Sequence, residues 1–444
     1  MPNLDAFFNS PAAIRSITDG SIIRTWRAIP TFPAAVDEIL AESDPTNCAV
    51  LEHERIPFQS FPYEWSPEML YEAGLLTLAL CDQLLDEGRG LKDATPYNIL
   101  FRGTKPVLVD VLSVEARDPS DPVWLPYAQF MTSFILPLLA YRKFGLPLDQ
   151  AFLSRRDGLK PEDLYKFCDA GRKLDPSILF NVVLPTWLGR VSRLNSDGLY
   201  RKRSNPDSHR ARFMLRGLFA SLRRKLKAVS PPEDSGSNWT NYENQNSYSR
   251  EEMERKQAFV STVLQRFWPS MVLDVGCNTG VFSRLAARQG ATVVAIDSDP
   301  VVVGRAFTKA KREALDVLPL VVDISRPTPA VGWNNAECSS FLARGTERFD
   351  LVLMLAVVHH LIVTERIPLI NIAALVAQLT NEFALIEYIA PCDPMFRKLV
   401  RGRDALYAHV TEQLFRSTFQ EQFSILDGIP LSQTRSLYLL RKKK

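Results

Sequence analysis

The chain has 444 residues, 46% hydrophobic and 23% charged, with a formal net charge of +3. That length suits two domains with full cores, the balance is that of an ordinary globular protein, and the small net charge gives no overall argument for a nucleic-acid partner. The longest apolar runs, such as Leu351 to Val358, are far too short to span a membrane. The six cysteines are scattered, with no Cys-x-x-Cys pair and no zinc-site spacing, and the N-terminus shows no signal-peptide pattern. These features predict a soluble, cytoplasmic protein with reduced thiols, no membrane span and no metal site.

Three parts are expected in chain order: a domain over residues 1–228, a polar linker over 229–247, and a second domain over 248–444. In the first part, Val50 to Glu54 reads as a strand and Leu70 to Leu85 as a helix. Then come Asp93 and Asn98 in Asp-x-x-x-x-Asn spacing, a hairpin turning at Arg102-Gly103-Thr104, and Asp110 at the end of a strand. An Asp-Asn-Asp trio has the chemistry to chelate a divalent cation.

The stretch from Arg190 to Lys227 holds twelve Lys and Arg against Asp197 and Asp207. Its second half mixes Phe213, Leu215, Leu218, Phe219 and Leu222 with arginines at helical spacing, which predicts a basic amphipathic helix. Such a helix either packs on its own domain or presents charge to RNA, an anionic surface or an acidic substrate. The linker is rich in Pro, Ser and Asn. It ends in a segment with three aromatics, Trp239, Tyr242 and Tyr248, before a helix carrying Lys256.

The most informative run is Met271-Val-Leu-Asp-Val-Gly-Cys-Asn-Thr-Gly280. It reads as a buried strand, a tight turn through Gly276, Asn278 and Gly280, and the start of a helix. Glycine lets the backbone come close to a ligand, and a helix start offers free N–H groups. The spacing is not the Gly-x-Gly-x-x-Gly of dinucleotide binders, and Asp274 lies on the strand itself. The next strand ends in Asp297, where a carboxylate can accept from both ribose hydroxyls; the plainer reading is a helix cap. A third strand ends in Asp323, which could accept from an adenine amino group with Ile324 packed on the ring. A fourth runs from Phe349 through Leu355 to His359, His360 and Leu361, a fifth covers Phe383 to Ile389, and a late strand pair closes the chain. His359, His360 and Glu387 are the candidates for a general base or acceptor contact, against packing or capping roles.

Residues 248–441 resemble the class I S-adenosylmethionine-dependent methyltransferase superfamily. The resemblance rests jointly on Asp274 to Gly280, Asp297, Asp323 and the Leu355 to Leu361 block. It implies an α/β domain with a Rossmann-like seven-stranded sheet and S-adenosyl-L-methionine as cofactor. Gly276, Asn278 and Gly280 would then line the methionine part, Asp297 the ribose and Asp323 the adenine, with Leu355 beneath the sulfonium. Tyr248 and Lys256, just before the sheet, are expected to lie over the cofactor. Residues 45–140 resemble small-molecule kinases of the aminoglycoside and choline phosphotransferase type, which implies an α+β domain like a truncated kinase C-lobe. The Gly-rich phosphate loop and the phosphate lysine are missing, so a degenerate domain serving substrate binding or scaffolding is expected. The order of the whole chain is similar to bacterial two-part methyltransferases that include nodulation proteins, which implies a carbohydrate-like, small-molecule acceptor. Phosphotransfer and RNA binding are the competing functions. The sequence names neither the acceptor nor the oligomeric state.

Overall fold

The computed structural model describes residues 6–27, 50–192, 207–232 and 248–443. The chain divides into two compact units. The first takes Met1–Pro57, Pro67–Phe101 and Lys105–Pro232; the second takes Phe58–Ser66, Arg102–Thr104 and Glu233–Lys444. Residues 233–247, with Trp239 and Tyr242 and nearly all of the expected linker, lie outside the described residues, as do 193–206 of the basic segment and Cys48. Among the described residues no helix is long and apolar enough to cross a membrane, and no group of His, Cys, Asp or Glu is placed to hold a metal ion.

In the first unit, α1 (Pro11–Thr18) precedes the antiparallel pair β1 (Thr25–Arg27) and β2 (Leu51–His53). The helix α2 (Pro67–Leu85) is followed by β3 (Arg89–Leu91) and by the hairpin β4 (Ile99–Arg102) and β5 (Lys105–Leu108). Then comes β6 (Val114–Ala116), paired antiparallel with β3. Asp110 caps a short helical turn at Val111–Ser113 by accepting from the Leu112 amide at 3.1 Å. The basic helix forms as α3 (Ser208–Ala228), started by Asp207, whose carboxylate accepts from the amides of His209 and Arg210. Its buried stripe is Ala211, Leu215, Phe219, Leu222 and Leu226. Phe213, expected on the apolar face, is 77% exposed, because it stands two residues before Leu215 and so on another side of the helix. The basic face is partly spent inside its own unit. Arg216 reaches Asp86 at 2.5 Å, Arg223 reaches Asp82 at 2.6 Å, and Lys225 donates to Asn181 at 2.7 Å.

The second unit is a seven-stranded sheet in the order β12-β13-β11-β10-β7-β8-β9. It is entered by α4 (Arg250–Phe267), which starts in a capping box: the Glu252 amide donates to Ser249 Oγ, and the Ser249 amide donates to the Glu252 carboxylate. There follow β7 (Met271–Val275), α5 (Val281–Arg288), β8 (Thr292–Asp297), α6 (Pro300–Arg312) and β9 (Val317–Val321). The next elements are α7 (Phe341–Gly345), β10 (Phe349–Met354), α8 (Val358–Val363), α9 (Leu369–Leu379) and β11 (Thr380–Ile389). The chain ends with α10 (Pro394–Val400), α11 (Glu412–Gln422), β12 (Phe423–Pro430) and β13 (Arg435–Lys442). The five strands from β11 to β9 are parallel; β13 pairs antiparallel with both β11 and β12.

Every residue of β7 is buried, Asp274 included, as suits a central parallel strand whose other four residues are apolar. Strand order reverses between β7 and β10, so their carboxyl ends open a crevice there. The fourth strand is shorter than its apolar run suggests. It stops at Met354 because Ala356 turns into the left-handed region at φ 57°, and Val358 to Val363 form a helix instead.

The segment Phe58–Ser66 contributes to this unit from far upstream. Glu64 accepts from the Arg344 guanidinium and from Thr328 Oγ1, and the Arg344 guanidinium also lies over the rings of Phe58, Phe61 and Phe341. The side chains of Glu64 and Arg344 are 0% and 6% exposed, a buried pair satisfied by additional hydrogen bonds and ring faces.

Candidate functional site

At the carboxyl ends of β7, β8 and β10 lies a cavity of roughly 330 Å³, within the usual range for small-molecule sites. Its floor is the turn after β7. Gly276 has φ 68° and Gly280 φ 75°, with Asn278 also left-handed at φ 49°. A side chain at Gly276 would put its Cβ 2.4 Å from Val357 Cγ2, so this position needs glycine on steric grounds as well as conformational ones. The Gly276 and Cys277 amides donate to the Ile296 carbonyl at 2.8 and 3.0 Å, which pins the turn to β8.

Asp297, at the end of β8, lines the cavity. Its carboxylate accepts from the Asn278 amide at 2.9 Å and the Asp299 amide at 3.1 Å. It is not the cap of the following helix; Asp299 is, accepting from Val301. Enclosure pushes the Asp297 carboxyl up to about 6, against the pull of these amides. Asp274 also lines the cavity and accepts from Ser283 Oγ at 2.5 Å. Burial raises it to about 6 as well, with the Ser283 bond and the Lys256 charge opposing. Asp323 and Ile324 follow the end of β9 on the same wall. Asp323 already accepts from the Ser325 amide and hydroxyl at 2.9 and 2.6 Å.

Tyr248 and Lys256 close another side. Both are buried, both line the cavity, and both are held by Glu387 of β11. Tyr248 Oη donates to Glu387 Oε1 at 2.5 Å, and Lys256 Nζ donates to Glu387 Oε2 at 2.6 Å. Glu387 itself is 1% exposed and does not line the cavity. Its expected role as a base is therefore replaced by a different one, since both oxygens are committed to holding the two residues that do reach the cavity.

The histidine pair splits in the same way. His360 lines the cavity, with Leu355 beside it. Burial holds its pKa below the ordinary histidine value, which favours the neutral ring that a proton acceptor needs. His359 points elsewhere. Its ring packs 4.2 Å from that of His360 and 6.3 Å from Phe396, and it does not line the cavity. Its pKa lies well below normal, through burial first and the neighbouring His360, Arg435 and Lys256 next. It is a residue of α8 whose ring packs beside His360 and Phe396.

Met253, Phe282 and Ser298 also line the cavity, as do Thr364 and Glu365 at the end of α8. None was singled out from the sequence. Phe282 was the most accessible to inference, two residues after the motif glycine. Met253 precedes Lys256 by three residues and so shares its helix face.

The donor set fits S-adenosylmethionine. Its carboxylate, amino group, ribose diol and adenine need respectively a cation, an anion, a carboxylate at a strand end, and a mixed apolar and acceptor wall. Lys256 is the only Lys or Arg lining the cavity among the described residues, and Asp274, Asp297, Asp323 and Ile324 line it too, groups of the kinds that the rest would need.

A family described as a methyltransferase domain matches residues 216–420. The chain is 29% identical over 402 residues to the nodulation protein NoeA of Rhizobium meliloti (strain 1021), covering 89% of this chain and 82% of that protein. It is 33% identical over 89 residues to a ubiquinone biosynthesis O-methyltransferase of Caulobacter sp. (strain K31), covering 20% of this chain and 30% of that one. Among solved structures, the N-methyltransferase NodS of Bradyrhizobium japonicum WM9 superposes with a TM-score of 0.32 at 14% identity, over 44% of this chain and 99% of that one. The chain thus carries a methyltransferase domain in its C-terminal region, and the protein is an S-adenosylmethionine-dependent methyltransferase.

Proposed function

We infer that the protein methylates a hydroxyl of a small, carbohydrate-like acceptor, with His360 as the general base. The observation that carries this reading is that His360 lines the same cavity as Lys256 and Asp297. A methyl group on a sulfonium is a strong electrophile, so the cofactor supplies the chemistry and the protein supplies alignment and exclusion of water. Lys256 would hold the cofactor carboxylate, Asp297 the ribose hydroxyls, and Asp323 with Ile324 the adenine. Gly276, Asn278 and Gly280 would let the methionine part lie against the backbone, with Asp274 beneath them and Leu355 near the sulfonium. A sugar hydroxyl is a poor nucleophile and gains from a neutral imidazole that takes its proton. The likeness to a nodulation protein over most of the chain supports the carbohydrate-like acceptor.

The first unit, we infer, serves substrate binding or scaffolding. In its favour, a helix, a hairpin and Asp110 follow one another in the order that the kinase resemblance implies. No observation favours phosphotransfer. The arginines of α3 that pair with Asp82 and Asp86 leave the RNA-binding alternative without particular support.

The test is calorimetric titration with S-adenosylhomocysteine, followed by transfer of labelled methyl from S-adenosylmethionine to a panel of oligosaccharides and phenols. Micromolar binding that collapses in Asp297→Ala, with label entering an oligosaccharide, supports the reading. Label entering only phenols would overturn the acceptor class.

A further inference from the structure

Behind Tyr248 stands a residue that the cofactor reading does not use. Arg435, at the start of β13, is 4% exposed. Asp393 grips its guanidinium with both oxygens, Nε to Oδ2 at 2.8 Å and Nη2 to Oδ1 at 3.0 Å. Thr434 Oγ1 donates to the same Asp393 Oδ2 at 2.7 Å. Held this way, Arg435 Cζ lies 4.3 Å from the centroid of the Tyr248 ring, and Lys256 Nζ lies 4.5 Å from that same centroid. Two cations therefore share one phenol ring, and two carboxylates, Glu387 and Asp393, balance them. All four charged side chains are buried. Only Lys256 reaches the cavity.

We propose that Arg435 is a positioning residue for the methionine end of the cofactor, supplying the second positive charge that lets Lys256 face a ligand carboxylate while it stays paired with Glu387. The proposal rests on the assignment of Lys256 to that carboxylate. With Arg435 in place, the buried cluster is neutral before the ligand arrives. Without its charge, an incoming carboxylate meets one cation already paired to Glu387 and a second buried carboxylate, Asp393, with no partner of opposite charge. In a site shielded from water, charges at such distances interact far more strongly than in solvent. Arg435 also packs against the ring whose hydroxyl helps hold Glu387, so it fixes the geometry as well as the charge balance.

The experiment compares two ligands on the full chain. S-adenosylhomocysteine carries the amino-acid carboxylate; 5′-methylthioadenosine has the same nucleoside and lacks it. For Arg435→Gln, S-adenosylhomocysteine affinity is expected to fall roughly tenfold or more while methylthioadenosine affinity stays within about twofold. Arg435→Lys, which keeps the charge, should recover most of the loss. Equal weakening of both ligands in Arg435→Gln means a merely structural role and overturns the proposal, and so does unchanged S-adenosylhomocysteine binding. Should Arg435→Gln fail to fold, Asp393→Asn keeps the arginine and removes its anion. The preference for the carboxylate ligand should then persist or rise, and its loss would overturn the proposal. Wild-type protein that binds both ligands equally well overturns the assignment of Lys256 itself, an outcome distinct from failure of Arg435 alone.

Discussion

Lys256 Nζ lies 2.6 Å from Glu387 Oε2, and the two side chains are 3% and 0% exposed. A helix that precedes the sheet is thereby fastened to a strand near the end of the chain, and the fastening sits at the wall of the cofactor cavity. Removing one partner leaves a buried charge without its counter-ion. Glu387→Gln is expected to cost about 3 kcal/mol of stability, measured by denaturant titration, and to weaken S-adenosylhomocysteine binding in the same protein. Wild-type stability in that variant would show that the pair is dispensable.

Asp297→Asn should lower cofactor affinity by roughly 10- to 100-fold, the scale of losing charge-assisted hydrogen bonds to a diol. Calorimetry reads this directly. Full affinity in the variant would place the ribose elsewhere.

The pH dependence of binding follows from the same residue. The Asp297 carboxyl is raised to about 6, above its unfolded value. The folded protein without ligand therefore binds the extra proton between about 4 and 6, and this group's contribution to stability falls as pH rises through that window. Ribose hydroxyls are held best by the ionised form. Affinity for S-adenosylhomocysteine should thus drop as pH falls below about 6, and the drop should vanish in Asp297→Asn. A flat profile between pH 5 and 8 would contradict it.

His360→Ala should reduce methyl transfer by about 100-fold or more while cofactor affinity changes less than about twofold. His359→Ala, which alters a ring packed beside Phe396 and His360, should show mainly a lower melting temperature. Steady-state kinetics with saturating cofactor separates the two. A reversed pattern would exchange the roles assigned to them.

Gly276→Ala forces a methyl group toward Val357 at a backbone angle that alanine resists. A loss of about 2 kcal/mol or more is expected, together with impaired cofactor binding. Near-native melting and affinity would mean the turn can shift to make room.

Much of the site could be read from local pattern. Asp274, Gly276, Asn278, Gly280 and Asp297 belong to strand–turn–helix units whose geometry is set by residues a few positions apart, so their type and spacing report their place. Tyr248 and Lys256 were legible only through the resemblance, which implies that the segment just before the sheet lies over the cofactor. The end of the fourth strand was not legible. Its apolar run continues past Met354, and nothing local announces that Ala356 turns left-handed.

The sequence by itself carried the α/β class of the C-terminal domain, in apolar strands alternating with helices and a glycine-rich turn, and its resemblance to methyltransferases implied the cofactor. Only the tertiary structure separates His359, His360 and Glu387 by environment, placing His360 alone of the three at the cavity, since three polar residues near strand ends look alike until packing assigns each its surroundings. It also brought Arg435 and Asp393 up behind Tyr248. That grouping depends on β13 pairing antiparallel with β11, a long-range register that carries no signal in the neighbouring residues.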